Sequence, residues 1–452
     1  MKKLLSAIAV SGLVATSLIG GGGGAQAGPG VSGLSSDNVE QIAFIPFEVG
    51  TATGANIRGN RMYITSWKNF SIYDVTDPLA PTLISSTPLG FMFENENVAT
   101  NGKILLFSES LPRDLLHVYD LEDESNPVEI AALSGAGDHT TSCLFECAYG
   151  WGSEGTVTDL RDPTAPEEIG NWEAFGPGKS GHDITEIAPG RVFTATVPVQ
   201  LFDASNPARP KLLATGDNER FAHSVHWPRG GKDKFALVGG ETNANTFCDE
   251  GSATFDVMDT TGFEVTRKLK TVDKYVYTNG TYLDGKPAIN GLGCSPHWFD
   301  THPTWFDGGL VAVGSYEHGV RFLTIDSKTG KMTEQGWFLP LSETGTSAAY
   351  WMTPEVVYAV DYARGLDVLR YTGPLRSEGD ELPAPRPGSG EPKPKPQPKP
   401  NPGPKPPTKP LPVTPLPRAT LPATGVPALP AVTGLVLLTA VIAVRRSTRA
   451  LR

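Results

Sequence analysis

A short pattern returns again and again through the middle of this chain: a stretch of β-branched and aromatic residues that ends in aspartate and runs into a proline turn. Phe70-Ser71-Ile72-Tyr73-Asp74, with Asp77-Pro78 and Pro81 after it, recurs as Leu116-His117-Val118-Tyr119-Asp120 with Asp123 and Asn126-Pro127. It recurs again as Thr156-Val157-Thr158-Asp159 with Asp162-Pro163, and as Val199-Gln200-Leu201-Phe202-Asp203 with Asn206-Pro207. Looser copies end at Asp256 and Asp259 and at Asp326, and a last one, Gly365 to Arg370, carries arginine where aspartate is expected. The period is about 40 to 50 residues, stretched between Asp203 and Asp326 by insertions. A unit this short cannot bury its own apolar face, so consecutive units must stack on one another.

Each unit reads as an inner strand, a second strand, a third strand that ends in the aspartate, and a fourth after the proline turn. The second strands are Arg61 to Thr65, Lys103 to Phe107, Arg191 to Thr196, Phe235 to Val238, Leu310 to Val313 and Val356 to Val360. Four short antiparallel strands per repeat predict an all-β fold, a seven-bladed β-propeller over residues 39–375. The aspartate side chain is expected to accept backbone N–H bonds in the turn while proline presets φ. The seventh unit ends near Tyr371 without a fourth strand, and the domain begins with an unpaired one, Gln41 to Phe47, that looks like the fourth strands Thr82 to Ser86 and Val128 to Leu133. The N-terminal strand is therefore expected to complete the last blade and cover two open sheet edges. At these copies the chain resembles the LVIVD-repeat family of surface propellers of Gram-positive bacteria, closely in four repeats and loosely in three. The resemblance implies the fold and an extracellular location; it implies no single activity.

The two ends give the expected destination. Lys2 and Lys3, an apolar segment from Leu4 to about Ile19 and Ala25-Gln26-Ala27 have the layout of a secretory signal peptide over residues 1–27. Residues 383–417 are mostly proline, lysine and glycine, a composition that cannot form a core and holds the chain extended, a disordered stalk of about 110 Å at about 3.1 Å per residue. Beyond it come Leu421-Pro422-Ala423-Thr424-Gly425, an apolar run over 426–444, and Arg445, Arg446, Arg449 and Arg452. The run, roughly 19 residues, is about long enough to cross a bilayer as a helix with the arginines on the cytoplasmic side. This order over 421–452 resembles the LPxTG sorting signal, which implies that a sortase cleaves between Thr424 and Gly425 and joins Thr424 to peptidoglycan, the C-terminal helix serving only as transient membrane retention. A permanent transmembrane anchor is the alternative.

Charge narrows the partners. The chain is −11 overall, but the signal peptide carries about +2 and the residues after Pro383 about +10, which leaves the middle near −23. So acidic a body repels phosphate backbones, and nucleic acid is excluded as an expected partner. In an exported protein the four cysteines are expected as disulfides, Cys143 with Cys147 and Cys248 with Cys294 on sequence distance alone; a metal site at Cys143 and Cys147 is the alternative.

Histidine placement carries the one chemical hint. His139, His182, His223 and His302 each fall at the start of an inner strand when the following second strands are superposed, and Glu94 falls near the same place in the second unit. Inner strands line the channel of a propeller, so equivalent positions converge, and imidazoles with a carboxylate suit zinc or another transition metal. In architecture alone this resembles selenium-binding-protein-type propellers. The alternative is a wet channel in which these side chains bond backbone and water. His297 and His318 with Glu317 form a second, weaker group, and His117 reads as a surface residue of a third strand. No Gly-x-Ser-x-Gly, His-Glu-x-x-His or P-loop pattern is present. Two functions follow: a wall-displayed binding module for an extracellular protein or glycan, or an extracellular metal-dependent oxidase or hydrolase using the channel site.

Overall fold

The computed structural model describes residues 33–380 apart from 48–51, 67, 90–95, 111–112, 180, 242–252, 278–294, 341–344 and 363. The repeat becomes seven antiparallel sheets, each the blade of a β-propeller. Blade 1 is typical: Ala52–Arg58 is innermost, followed outward by Arg61–Ser66, Asn69–Asp74 and Thr82–Pro88. The innermost strands of blades 2 to 7 are Ala99–Thr100, Thr141–Leu144, Ile184–Ala188, Ala222–His226, Phe299–Thr301 and Thr346–Trp351.

Closure follows the expected route. Val39–Pro46 pairs antiparallel with Gly365–Tyr371 as the outermost strand of blade 7, Val39 opposite Tyr371 and Pro46 opposite Gly365. One strand was not anticipated: Leu34–Ser35 adds to the outer edge of blade 6, opposite Leu339 and Phe338. The N-terminal segment thus joins the last two blades to the first.

The turn aspartates act as the repeat suggests. Asp74, Asp120, Asp159, Asp203 and Asp259 each close a third strand and accept the N–H two residues on, at 2.7 to 3.0 Å. Asp326, just past Val320–Ile325, does the same with Lys328. Asp256, grouped with them in the sequence, lies inside Phe255–Asp259 and instead accepts from Thr254. Where Arg370 replaces the aspartate, its guanidinium pairs with Glu40 of the closing strand at 2.9 Å.

Packing between neighbouring blades makes the core. Tyr63, Phe70 and Ile72 of blade 1 meet Leu105, Phe107 and Tyr119 of blade 2, and Leu310, Phe322 and Phe338 of blade 6 meet Trp351, Val357 and Tyr371 of blade 7. Ala43, Ile45 and Val368 of blade 7 against Met62 and Tyr73 of blade 1 close the ring. Each large side chain removed from water contributes about 1.5 to 3 kcal/mol, so the ring is held by burial rather than by any single bond. Trp151 and Trp172 stack with centroids 5.6 Å apart, and Trp227 packs edge-on against Phe263. All three are fully buried, so they support the fold.

Cys143 and Cys147 form a disulfide across the first turn of blade 3, where Phe145, Glu146 and Cys147 all take positive φ. Cys248 and Cys294 lie outside the described residues, as do the signal peptide, the stalk, Leu421, Pro422, Ala423, Thr424 and Gly425, and the apolar run 426–444. Among the described residues no helix is long and apolar enough to cross a membrane.

Candidate metal centre

At the start of the inner strands of blades 3 to 6 the backbone is latched to the next blade. Thr140 Oγ1 of blade 3 donates to the His182 carbonyl of blade 4 at 2.6 Å, and Asp183 N donates to the His223 carbonyl of blade 5 at 3.0 Å. Ser224 Oγ of blade 5 donates to the His297 carbonyl of blade 6, and Trp298 N to the Ser347 carbonyl of blade 7. The residue after each histidine therefore fixes the equivalent position one blade on. His139, His182, His223 and His297 occupy that position in blades 3 to 6, and neighbouring rings follow one another at centroid separations of 4.7, 3.7 and 3.7 Å.

Glu96 reaches the same place from blade 2. Its Oε2 lies 2.8 Å from His223 Nε2, 2.9 Å from His297 Nε2 and 3.8 Å from His182 Nε2. Its segment is fixed from two sides: Asn97 Nδ2 donates to Ser142 Oγ at 2.6 Å, and blade 1 comes so close that a Cβ on Gly54 would stand 1.6 Å from the Glu96 carbonyl oxygen. Tyr362 of blade 7 donates its hydroxyl to Glu96 Oε1 at 2.7 Å. Glu241, at the end of blade 5's second strand, joins His182 and His223 and accepts from the Tyr316 hydroxyl at 2.6 Å. Glu96, His182, His223 and His297 are all buried.

The tautomers follow from acceptors that can only accept. His223 Nδ1 faces the His297 carbonyl at 3.2 Å and His297 Nδ1 the Ser347 carbonyl at 2.9 Å, so both Nδ1 atoms carry hydrogen. In the neutral rings both Nε2 lone pairs then point at a carboxylate oxygen. Acceptors cannot face one another in a buried site without a cation between them, whether a proton or a metal ion. His297 Nε2 is within 2.9 Å of Oε2 yet makes no hydrogen bond of proper alignment. Glu96 Oε2 at 2.8 and 2.9 Å from the Nε2 atoms of His223 and His297 comes near the spacing of ligands on a shared ion, since two ligands about 2.1 Å from one metal stand about 3.0 to 3.4 Å apart.

The electrostatics set His297 apart from the other imidazoles. Burial would raise the Glu96 carboxyl, but His297 and His223 outweigh it and hold it well below the usual carboxylate range. For His297 burial lowers the pKa and Glu96 outweighs it, a net rise. Burial holds His223 below its ordinary value and His182 well below, so these imidazoles are neutral and free to ligate at pH 7.

Of the sequence candidates, His139, His182 and His223 come together here. His302 does not: its Nδ1 pairs with the Thr304 hydroxyl at 2.7 Å, its Nε2 with the Pro354 carbonyl at 2.8 Å, and its ring packs on Trp351. His297 takes the place expected of it, because His302 follows the end of Phe299–Thr301 whereas His297 precedes its start. Glu94 lies outside the described residues; Glu96, two positions on, is the carboxylate that blade 2 brings to the cluster. Asp138 accepts from Glu154 N and the Thr156 hydroxyl in a turn, and Asp183 links Thr185, Val225 N and Asn97, so neither is a ligand. His117 is buried between Glu109 at 2.9 Å and Glu129 at 3.1 Å, not on the surface.

No protein-family model and no curated protein matches the chain. Among solved structures, the WD40 β-propeller domain of Doa1 is similar with a TM-score of 0.49 at 10% identity, over 74% of this chain and 97% of that one. A chain of a mitotic checkpoint complex gives 0.49 at 12% identity, over 80% and 99%. A protein of unknown function from Desulfotomaculum acetoxidans gives 0.47 at 14% identity, over 66% and 88%.

Proposed function

We propose that the protein is a secreted propeller, fastened by sortase to peptidoglycan, that holds zinc or another transition metal on its axis and acts there as a metal-dependent oxidase or hydrolase. One observation carries the metal: Glu96 Oε2 faces the Nε2 atoms of His223 and His297 at 2.8 and 2.9 Å while both Nδ1 atoms are committed to backbone carbonyls. Such a shell of imidazoles oriented from behind is how proteins hold zinc, copper, iron or nickel. A purely structural ion has little to do here, because the ring is already closed by strand pairing. Bound there, the metal would polarise a small substrate or bind oxygen-containing ligands; the chain's own part is to fix the imidazoles, keep bulk water out and hold Glu96 through Tyr362.

Elemental analysis of the purified protein against His223→Ala tests the centre. Stoichiometric metal in the parent and its loss in the variant is the expected result; equal content in both, or none in either, refutes it. Reduction with dithionite then separates the chemistries, since a redox-active metal changes its spectrum and zinc does not. Wall attachment is supported by the order of LPATG, apolar run and arginines. It predicts that protein released from the wall ends at Thr424, and an intact C-terminus at Arg452 would contradict it.

A further inference from the structure

The ligand set is larger than one ion needs. Among the described residues six side chains, His139, His182, His223, His297, Glu96 and Glu241, offer donor atoms at the centre, and they fall into three overlapping groups of three. Glu96 belongs to two of them, one with His223 and His297 and one with His139 and His182. The third joins the middle imidazoles, His182 and His223, to Glu241. An octahedral ion taking all six would bring every donor within about 4.2 Å of every other, which would make one group rather than three.

The Nε2 and Oε2 distances divide the same way, although the ring of His182 stands as close to His223 as His223 does to His297, with centroids 3.7 Å apart. His139 Nε2 and His182 Nε2 share a hydrogen bond at 2.9 Å, which is also about the 3.0 Å separation of adjacent ligands on a common ion. On the other side Glu96 Oε2 stands 2.8 and 2.9 Å from His223 and His297. Between the sets the same oxygen is 3.8 Å from His182. His182 Nδ1 is buried with no hydrogen-bond partner, so nothing on the protein side holds that ring as the carbonyls hold His223 and His297. A carboxylate shared by two pairs of imidazoles, as Glu96 is, is what a two-metal site requires, with ions about 3.5 to 4 Å apart.

We propose that the centre is dinuclear: one ion on His223 and His297, a second on His139 and His182, with Glu96 bridging them and Glu241 beside the middle pair. This rests on the metal-centre reading and adds the number of ions and the role of Glu96 to it. The metal pair suits a substrate that presents two oxygen atoms, such as a carboxylate, a phosphate ester or dioxygen.

Titration of the metal-free full-length protein with cobalt(II), followed by visible absorbance and by EPR, decides the matter. Two equivalents bound with a coupled EPR signal are expected, falling to one equivalent and an uncoupled signal in His139→Ala. One equivalent in the parent, unchanged in His139→Ala, overturns the dinuclear site and leaves a single-metal centre standing. No binding at all overturns both. Because the parent's stoichiometry is itself decisive, the test survives a variant that fails to fold.

Discussion

At the scale of single residues, Glu96 is the position on which the centre turns. Replacing it with glutamine keeps its shape and lets an amide N–H face a neutral Nε2, so the fold should stand while metal affinity falls by at least about 100-fold, measured by competition with a chromogenic chelator. Unchanged affinity would remove Glu96 from the ligand set. His318 offers an independent check on burial. Burial, with Arg321 nearby, pushes its pKa down to about 3, against an unfolded value near 6.5. Below about pH 6.5 the unfolded chain binds the extra proton, so stability is lost as pH falls from there toward about 3. His318→Met should flatten that part of the acid-unfolding curve, read by circular dichroism. Much of the site was legible at this scale, since His139, His182 and His223 follow from superposing second strands. His297 falls in the second, weaker group of the sequence reading because the stretch between Phe299–Thr301 and Gly309–Gly314 is longer than the turn of blade 4, and superposing second strands cannot tell how many residues a connection consumes. Glu96 had no signal of its own for a related reason: Ala99–Thr100 is too short to show a period in the sequence.

At the scale of elements, the centre depends on how close the inner strands of blades 1 and 2 run. A methyl on Gly54 would meet Glu96 main-chain atoms at 1.6, 2.4 and 2.8 Å, and backbone cannot swing aside as a long side chain can. Gly54→Ala should cost about 1 to 3 kcal/mol in denaturant unfolding and lower metal retention in parallel. A variant that loses stability but keeps full metal content would show that the position of Glu96 does not depend on this contact. Strand identity was readable because β-branched runs bounded by Asp and Pro leave little ambiguity; the turn aspartates then behave as local N–H acceptors in six of the repeats. The two-residue strand Leu34–Ser35 had no such signal, and only the free edge of blade 6 calls it into being.

For the whole molecule, closure is the controlling event. Val39–Pro46 makes the outermost strand of blade 7 and contributes Ala43 and Ile45 to the cluster that joins blade 7 to blade 1. Deleting residues 33–46 should expose the edge of Gly365–Tyr371 and give a protein that aggregates or unfolds well below the parent, followed by thermal denaturation and size-exclusion chromatography. Retention of the parent's unfolding temperature would mean that the ring does not need its clasp. A closed ring also explains why residues so far apart as Glu96 and His297 meet: seven equivalent strand starts share one axis, and five of them bring a donor there. Anomalous diffraction from crystals of the purified protein, recorded at the edges of the metals found in it, tests this most directly. The centre predicts anomalous density about 2.0 to 2.2 Å from Nε2 of His223 and His297 and from a Glu96 oxygen. Absence of any peak there, with Glu96 simply hydrogen-bonded to a protonated His297, would contradict it.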